Sequence, residues 1–207
     1  MSFSKPDRAK MLVDAAYDML AEEGLDGLTI RAVLERTGLA RRAFYESFSG
    51  KDDLVLAVFR QTLELAAQHF ESEAERQLPD PLERLRYIVT AIVLGRGYLG
   101  EGAEVQRDRR GAALSREHMR LAESRPADLQ AALDPLLDLI ARQLNDGIAS
   151  GRVRKADPDR LAMLVYNTVS NTVHTELLAE EGQPPDPARR TRLAEDIWEF
   201  CRRAIIA

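Results

Sequence analysis

Residues 29–51, TIRAVLERTGLARRAFYESFSGK, carry the strongest structural signal in the chain. Two short segments with apolar residues at helical spacing flank residues 37–40. These four residues include a glycine and have the length of a tight turn between helices. This pattern predicts a helix-turn-helix. The same stretch holds five basic and two acidic residues in a chain whose net charge is −5. A basic island in an acidic protein favours a polyanionic partner, and double-stranded DNA is the one that a helix-turn-helix indicates.

The composition restricts the class of protein. The chain has 207 residues, of which 45% are hydrophobic and 30% charged, as in an ordinary globular protein with a substantial core. An isoelectric point of about 5.4 argues against a protein that coats nucleic acid with its whole surface, but not against a local DNA-binding face. The single cysteine, Cys201, excludes an intramolecular disulfide and fits a reducing cytosol. No apolar segment is long enough to span a membrane, so we expect a cytoplasmic protein.

Helical periodicity continues along the chain and predicts about nine helices. They are expected at residues 7–23, 29–36, 41–47, 50–76, 81–94, 115–123, 127–150, 158–180 and 187–206. Residues 95–111 are predicted to form a loop or a poorly formed helix, and Pro135 either kinks its helix or marks the true start of that helix. No segment alternates as a half-buried strand does, so the fold is predicted to be all-α. A helix-turn-helix domain at 1–53 and a helical domain at 54–207 are expected.

The first third of the chain resembles the TetR family of transcriptional regulators. The resemblance covers residues 8–59 and rests on an ordered set of residues at characteristic spacing: Ala15-Ala16, Met19-Leu20, Gly24, Leu28-Thr29, Gly38-Leu39, Phe44-Tyr45, Phe48, and Lys51 with Leu54. It implies a three-helix DNA-binding head joined by a long helix to a helical ligand-binding body. It also implies a homodimer built mainly from the last two helices.

The second helix of the motif is expected to enter the major groove of DNA. Phe44 and Phe48 would pack beneath it, and arginines on its outer face could bind guanine in bidentate fashion. The resemblance implies phosphate contacts for Tyr45 and Lys51. The predicted DNA-binding residues are Thr29, Arg31, Arg41, Arg42, Ala43, Tyr45, Ser47 and Lys51.

Simpler interpretations exist for several of these residues. A pair of arginines on a helix is commonly a solvated face, and Tyr45 could be a core residue with its hydroxyl at the edge. Thr29 could cap its helix and still donate to a phosphate. Ala40 stands where the family usually has Ser or Thr, so the helix after it lacks a side-chain N-cap, at a cost of about 1 kcal/mol.

A second motif, GRGYLG at residues 95–100, fits the GxGxxG pattern of dinucleotide-binding folds. That fold requires a strand before the motif and an apolar helix after it. Residues 88–93 instead keep a helical period, and residues 102–110 are polar, so we interpret the match as chance. The three histidines, His69, His118 and His174, have no metal-ligand spacing. Neither a metal nor a cofactor is predicted.

Two sets of residues in the helical body are candidates for ligand binding and dimerisation. Asn167, Asn171 and His174 form a polar line on an otherwise apolar helix, which fits either an interhelical or dimer-interface hydrogen bond or an effector pocket. The candidate pocket residues are Leu65, His69, Ile92, Arg96, Leu137, Asn167, Asn171 and His174. Stripes able to pair with symmetry mates in a four-helix bundle give the candidate dimer interface: Leu161, Leu164, Thr168, Thr172, Leu193, Ile197, Cys201 and Ile205.

Together these features predict a ligand-responsive transcriptional regulator, expected to be a repressor. It would bind a palindromic operator as a homodimer and be released by an unidentified small-molecule effector. The sequence shows no nucleophile–base pair, metal cluster or phosphate cradle, so no enzymatic activity is predicted. In two alternatives the head has only a structural role. The chain would then be a helical small-molecule-binding protein or enzyme, or a helical adaptor that binds other proteins.

Overall fold

The computed structural model describes residues 4–95, 104–180, 184 and 186–207, and ten α-helices lie within these segments. They are α1 (Lys5–Glu22), α2 (Gly24–Gly27), α3 (Ile30–Thr37), α4 (Arg41–Tyr45), α5 (Lys51–Gln77), α6 (Pro81–Leu94), α7 (Glu104–Ser124), α8 (Pro126–Ala149), α9 (Pro158–Ala179) and α10 (Pro187–Ile205). Among these residues the only β-pairing is an isolated bridge between Val153 and Ile206. The predicted all-α fold is confirmed, with the four-residue α2 as an additional helix.

The head is formed by α1, α3 and α4 around one apolar centre. Leu12, Val33 and Phe44 are fully buried there because the helical period places them on the facing sides of the three helices. Gly38 ends α3 in the left-handed region, at φ 67°, and donates its N–H to the carbonyl of Leu34 at 2.9 Å. Glycine adopts this conformation without steric cost, which makes the tight turn before α4 favourable.

Helix α5 connects the head to the body without interruption. It has 27 residues and packs against α1 at one end and α8 along its length. Leu54 and Val58 are buried near its start, and Phe70 is buried near its end. The boundary predicted between residues 53 and 54 therefore falls within one continuous helix.

The body packs α5, α6, α8 and α9 around a shared core, with α10 against α6 and α9. Leu85, Ile88, Leu136 and Ile140 are buried at its centre. Pro135 lies inside the single helix α8, so the suggestion that a helix starts at this proline is wrong. No helix in the described part of the chain is long and apolar enough to cross a lipid bilayer.

Helix α7 corrects the prediction for residues 95–111. Residues 104–111 are helical and continue into the segment predicted as a short helix at 115–123, whereas residues 96–103 lie outside the described part of the chain. Of the two alternatives predicted here, residues 104–111 adopt the helix, and the sequence left the choice open because the first turns of α7 lack an apolar stripe. Ala113, Leu114 and Leu121 are buried further along α7, which packs on α1 and α9. The GxGxxG match begins at the glycine that ends α6, and residues 88–93 before it are helical as predicted.

Candidate DNA-binding surface and body interior

Helix α4 is a short surface helix held from below by aromatic side chains. Phe44 is fully buried, and its ring centroid lies 5.3 Å from that of Tyr45 and 5.6 Å from that of Phe48. No side chain caps the helix at Ala40, as the sequence predicted. Arg41 and Arg42 of this helix are both exposed.

Among the described residues, the contacts of the basic side chains of α4 lie at the surface. The Arg42 side chain is 91% exposed and lies 3.2 Å from a carboxylate oxygen of Glu46. Glu46 also accepts a hydrogen bond from Arg8 at 2.7 Å, which lowers the pKa of this carboxyl. Arg41 donates to the Tyr45 hydroxyl at 3.3 Å, with its guanidinium 5.5 Å from the ring centroid. Exposed pairs of this kind contribute about 1 kcal/mol or less, so phosphates or bases can replace them at small cost.

The start of α3 presents a second polar surface beside α4. The hydroxyl of Thr29 accepts from the N–H of Ala32 at 3.1 Å and keeps its own proton for another acceptor. The Arg31 side chain is 87% exposed and pairs with Glu35 at 2.7 Å. A groove of about 600 Å³ runs along α3 to the start of α4, and it is lined by Ile30, Arg31, Leu34, Glu35, Gly38, Leu39 and Arg41.

Two predicted DNA contacts have different surroundings from those expected. The ammonium of Lys51 donates to the backbone carbonyl of Leu25 at 2.8 Å, so it ties the start of α5 to α2 and has two donors left. The hydroxyl oxygen of Ser47 is buried and has no hydrogen-bond partner among the described residues. Because α4 ends at Tyr45, Ser47 lies in the turn that follows and faces inward. We therefore remove Ser47 from the candidate DNA contacts.

Asp53 fixes the junction between head and body. It accepts hydrogen bonds from the hydroxyl and the N–H of Ser49, and from Arg125 at 2.7 Å. These contacts, with Ser49 the larger cause, lower the pKa of Asp53 to about 2. Arg125 precedes α8, so this ion pair joins the α7–α8 turn to the first turn of α5.

Helix α7 makes further contacts with the head. Arg120 contacts Asp52 at 3.2 Å and the buried carboxylate of Glu117 at 2.5 Å. Arg110 donates to the Tyr17 hydroxyl of α1 at 3.0 Å and lies 3.9 Å from the centroid of that ring. Sequence reasoning missed all these junction contacts because no local pattern pairs residues so far apart in the chain.

The body interior contains a pair of histidines that sequence spacing did not reveal. The ring of His118 on α7 lies 4.6 Å from that of His174 on α9, centroid to centroid. It also lies 5.8 Å from the ring of Phe59 and 6.2 Å from that of Tyr166. Burial lowers the pKa of each imidazole to about 4, and for His174 the charge of His118 adds to the effect. Among the described residues, no three His, Cys, Asp or Glu side chains form a metal-binding group.

The candidate pocket residues do not converge on one site. Ile92 and Leu137 are buried in the core, whereas Leu65, His69, Asn167 and Asn171 are exposed, and Arg96 lies outside the described residues. Phe70 and its neighbours set the inward face of α5 and leave residues 65 and 69 on the opposite side. Of the eight candidates, only His174 belongs to the imidazole pair.

The candidate dimer residues divide into two groups. Leu161 of α9 is buried where α9 packs on α8, and Ile197, Cys201 and Ile205 of α10 are buried where α10 packs on α6, so these four are covered within the protomer. Leu193, Thr168 and Thr172 are partly buried. Burial also raises the pKa of the Cys201 thiol to about 11. Leu164 is 54% exposed. Sequence reasoning missed Phe200, which is 65% exposed, and Met163, which is 46% exposed.

We call one set of exposed residues on the last two helices the α9–α10 face. It consists of Met163, Leu164, Asn167 and Asn171 of α9 and Phe200 of α10. Residues 164, 167 and 171 share one side of α9 by helical spacing. The two asparagines therefore accompany exposed apolar side chains and do not line the interior.

The imidazole pair predicts a loss of stability in mild acid. Each histidine has its pKa lowered from 6.5 to about 4 in the fold, so the unfolded chain binds protons more readily. The stabilisation is complete above pH 6.5 and is lost as the pH falls towards 4, by about 3 kcal/mol per histidine at most. Urea unfolding, followed by circular dichroism at several pH values between 4 and 6.5, measures how the free energy of unfolding changes with pH.

The double variant His118→Phe/His174→Phe should flatten this pH dependence, and exposed His69→Phe should leave it unchanged. The pKa of Asp53 is about 2 in the fold and 3.8 ordinarily, so the stability that its contacts contribute is lost at a lower pH than that of the histidines. An equally steep slope in the double variant would contradict the assignment.

Comparison with known proteins identifies relatives of both head and body. Residues 12–58 match the family model of the bacterial regulatory proteins, tetR family. The fatty acid metabolism regulator protein of Bacillus subtilis (strain 168) is 19% identical over 181 residues, which cover 86% of this chain and 87% of that protein.

Solved structures share the whole architecture. A TetR-family transcriptional regulator from Pectobacterium atrosepticum matches with a TM-score of 0.74 and 19% identity, over 98% of this chain and 96% of the other. The regulator FadR from Bacillus subtilis, solved in complex with stearoyl-CoA, matches with a TM-score of 0.69 and 18% identity, over 93% and 96% of the two chains. At these identities the match establishes a common fold.

Proposed function

We propose that this chain, a member of the tetR family of bacterial regulatory proteins, is a repressor that binds a palindromic DNA operator as a homodimer and leaves it when a small molecule occupies the body. The observation that carries the proposal is the presentation of Arg41 and Arg42 on an exposed short helix anchored by buried Phe44. Since its partner is DNA, we place the protein in the cytoplasm. The relatives named above are regulators, and we propose no catalytic activity.

The head, residues 1–53, would supply all the DNA contacts. Helix α4 fits the major groove, where exposed arginines can bind guanine O6 and N7 and a small side chain such as Ala43 can approach a thymine methyl. Thr29 and Arg31 at the start of α3, with Tyr45 and Lys51, would contact phosphates. These contacts fix the position of the head on the duplex, and the arginines of α4 provide base specificity.

The α9–α10 face is the surface that we propose for dimerisation. Leu164 and Phe200 are large apolar side chains left exposed on neighbouring helices, and burying them against a second copy is favourable. Asn167 and Asn171 could hydrogen-bond across the two-fold axis. A two-fold dimer presents its recognition helices to two half-sites about 34–36 Å apart, which requires a palindromic operator.

The proposed switch runs through α7. This helix carries His118 in the body interior and Arg120 at the head, where Arg120 contacts Asp52. A ligand that displaces α7 would therefore move the first turn of α5 and, with it, the head. Such a ligand acts only through different affinities for two conformers, and DNA must weaken ligand binding by the same factor. The stearoyl-CoA complex of FadR supports a ligand-binding role for a body of this fold.

Selection of DNA by the full-length protein tests the proposal. Duplexes with a randomised centre are incubated with the protein, and the bound fraction is sequenced over several rounds. We expect enrichment of one palindromic sequence, and sedimentation of the complex should give two protomers per duplex or a multiple of two. Failure to enrich any sequence, or a single protomer on a non-palindromic site, would reject the proposal.

A further inference from the structure

Polar side chains of α7 and α9 lie on the facing sides of these two helices in the body. Tyr166, Ser170 and His174 stand one helical turn apart on the same side of α9. His118 of α7 contacts the rings of both Tyr166 and His174, at 6.2 and 4.6 Å between centroids. Ser170 lies between Tyr166 and His174 along α9, so helical spacing places it on the side of α9 that faces His118. We call the group formed by His118, Ser170 and His174 the imidazole site.

Each member of the imidazole site has a buried polar atom without a hydrogen-bond partner among the described residues. These atoms are Nδ1 of His118, Nδ1 of His174 and Oγ of Ser170. His118 and Ser170 are 8% and 3% exposed, so solvent does not supply the missing bonds freely. Leaving such an atom unpaired costs about 1–3 kcal/mol, and native proteins contain few of them. Three in one place form a polar site at which a small hydroxyl-bearing molecule, either water or a ligand, can complete the hydrogen bonding.

A ligand hydroxyl is the group that suits these three atoms best. It can donate to an imidazole nitrogen or to a serine oxygen, and it can accept from an imidazole N–H or a serine O–H. It therefore fits either tautomer of each histidine. A group that only accepts, such as a carboxylate, can satisfy only the members that donate.

The electrostatics of the site favour an uncharged ligand. The buried polar and charged side chains of the described residues include no Lys or Arg, and the one buried carboxylate, Glu117, is already paired with Arg120. Both imidazoles are neutral near pH 7, since burial holds each pKa at about 4. An anion placed here would lose its hydration without gaining a cationic partner.

The apolar side chains near the imidazole site favour an aromatic ligand. The ring of Phe59 lies 5.8 Å from that of His118, in an edge orientation. Val169 and Val173 on α9 are buried beside the polar positions. Aromatic rings gain additional stabilisation from edge or offset contacts with such neighbours.

We infer that the body of this protein binds a small uncharged hydroxyaromatic compound, whose hydroxyl group hydrogen-bonds to His118, His174 and Ser170. This inference rests on the proposed function and specifies the effector class for the same ligand-responsive body. Contact with His118 places the ligand against α7, the helix that also holds Asp52 through Arg120.

Calorimetric titration of the full-length protein near neutral pH tests the inference with matched probes. Phenol carries the hydroxyl, toluene has the same ring without it, and benzoate replaces it with a carboxylate. Stearoyl-CoA represents the alternative class of effector. We expect phenol to bind about tenfold or more tightly than toluene and benzoate, because only phenol pairs the buried atoms without introducing charge.

Variants show whether the preference arises at the imidazole site. In His118→Phe/His174→Phe, phenol affinity should fall to within about twofold of toluene affinity. Ser170→Ala is the milder second variant and should reduce the preference for phenol severalfold with circular dichroism unchanged. The matched control His69→Phe changes an exposed histidine of α5 and should keep the full preference.

Several results would overturn the inference. They are equal affinities for phenol and toluene, tighter binding of benzoate or stearoyl-CoA than of phenol, no binding of any probe, and a preference that persists in both variants of the site. The titration contains no DNA, so it is independent of the operator selection. If the protein prefers phenol but selects no operator, the regulator proposal is rejected and the ligand site stands. If it selects an operator but shows no preference for phenol, the ligand site alone is rejected.

Discussion

The double variant Arg41→Ala/Arg42→Ala loses specific operator binding by about 100-fold or more while it remains folded. Each arginine that binds a base in bidentate fashion provides about 1–3 kcal/mol of discrimination, and each phosphate contact adds affinity that depends on salt. Within the protein, Arg41 contacts only exposed Tyr45 and Arg42 only Glu46 among the interactions described above. Their removal therefore changes the free energy of unfolding by about 1 kcal/mol or less.

Fluorescence anisotropy with the selected duplex over a range of salt concentrations measures this loss. Because Arg41 and Arg42 are assigned to bases, the slope of log K against log salt should change by less than the value of about 0.9 expected for each phosphate contact removed. Arg142→Ala is the matched control, since Arg142 lies on α8, is 55% exposed and pairs with Glu71 at 2.5 Å. An equal loss in this control, or wild-type affinity in the double variant, would count against the assignment of α4 to DNA.

Phe44→Ala is expected to destabilise the protein by about 3–5 kcal/mol, the range for truncation of a buried aromatic residue. Phe44 is 0% exposed and supports both Tyr45 and Phe48 through ring contacts. Its removal leaves a cavity directly beneath α4, so the short helix loses its anchor. Since α4 has only five residues and no side-chain N-cap, it cannot persist on local interactions alone.

Equilibrium unfolding in urea gives the change in stability. Tyr45→Ala, at the neighbouring position with 47% of the residue exposed, should cost about 1 kcal/mol or less, and Phe44→Leu should recover much of the loss. Similar costs for Phe44→Ala and Tyr45→Ala would refute the role of Phe44 as the anchor. In Phe44→Ala, operator binding should fall as well, because the arginines of α4 are no longer held in one orientation.

The head was predictable from sequence because its determinants are local. Gly38 marks the turn, Phe44 and Phe48 repeat at helical spacing, and the basic residues around them lie within one short segment. Each of these signals links residues a few positions apart. The burial of the Ser47 hydroxyl oxygen was not predictable in this way, since it depends on α4 ending two residues earlier than its pattern suggested.

The body shows why contacts between residues far apart in the chain could not be predicted. The stripe of Ile197, Cys201 and Ile205 correctly indicated a face that must be covered, but an amphipathic pattern does not say which helix covers it. In the structure α6 of the same protomer covers most of it, and Phe200, outside the stripe, is left exposed. His118 and His174 meet only because α7 and α9 pack together, so spacing along the chain held no sign of their contact.

The unbroken course of α5 has a mechanical consequence. A helix of 27 residues is about 40 Å long, so a rotation of about 5° about its body end carries its head end through about 3 Å. That distance is comparable with the length of a hydrogen bond. In the proposed two-fold dimer both α5 helices would move together, and the separation between the two heads would change by up to twice the displacement of either one. A shift too small to disturb the packing of the body would thus be large enough to move both arginine-bearing helices out of register with the major grooves of the proposed operator.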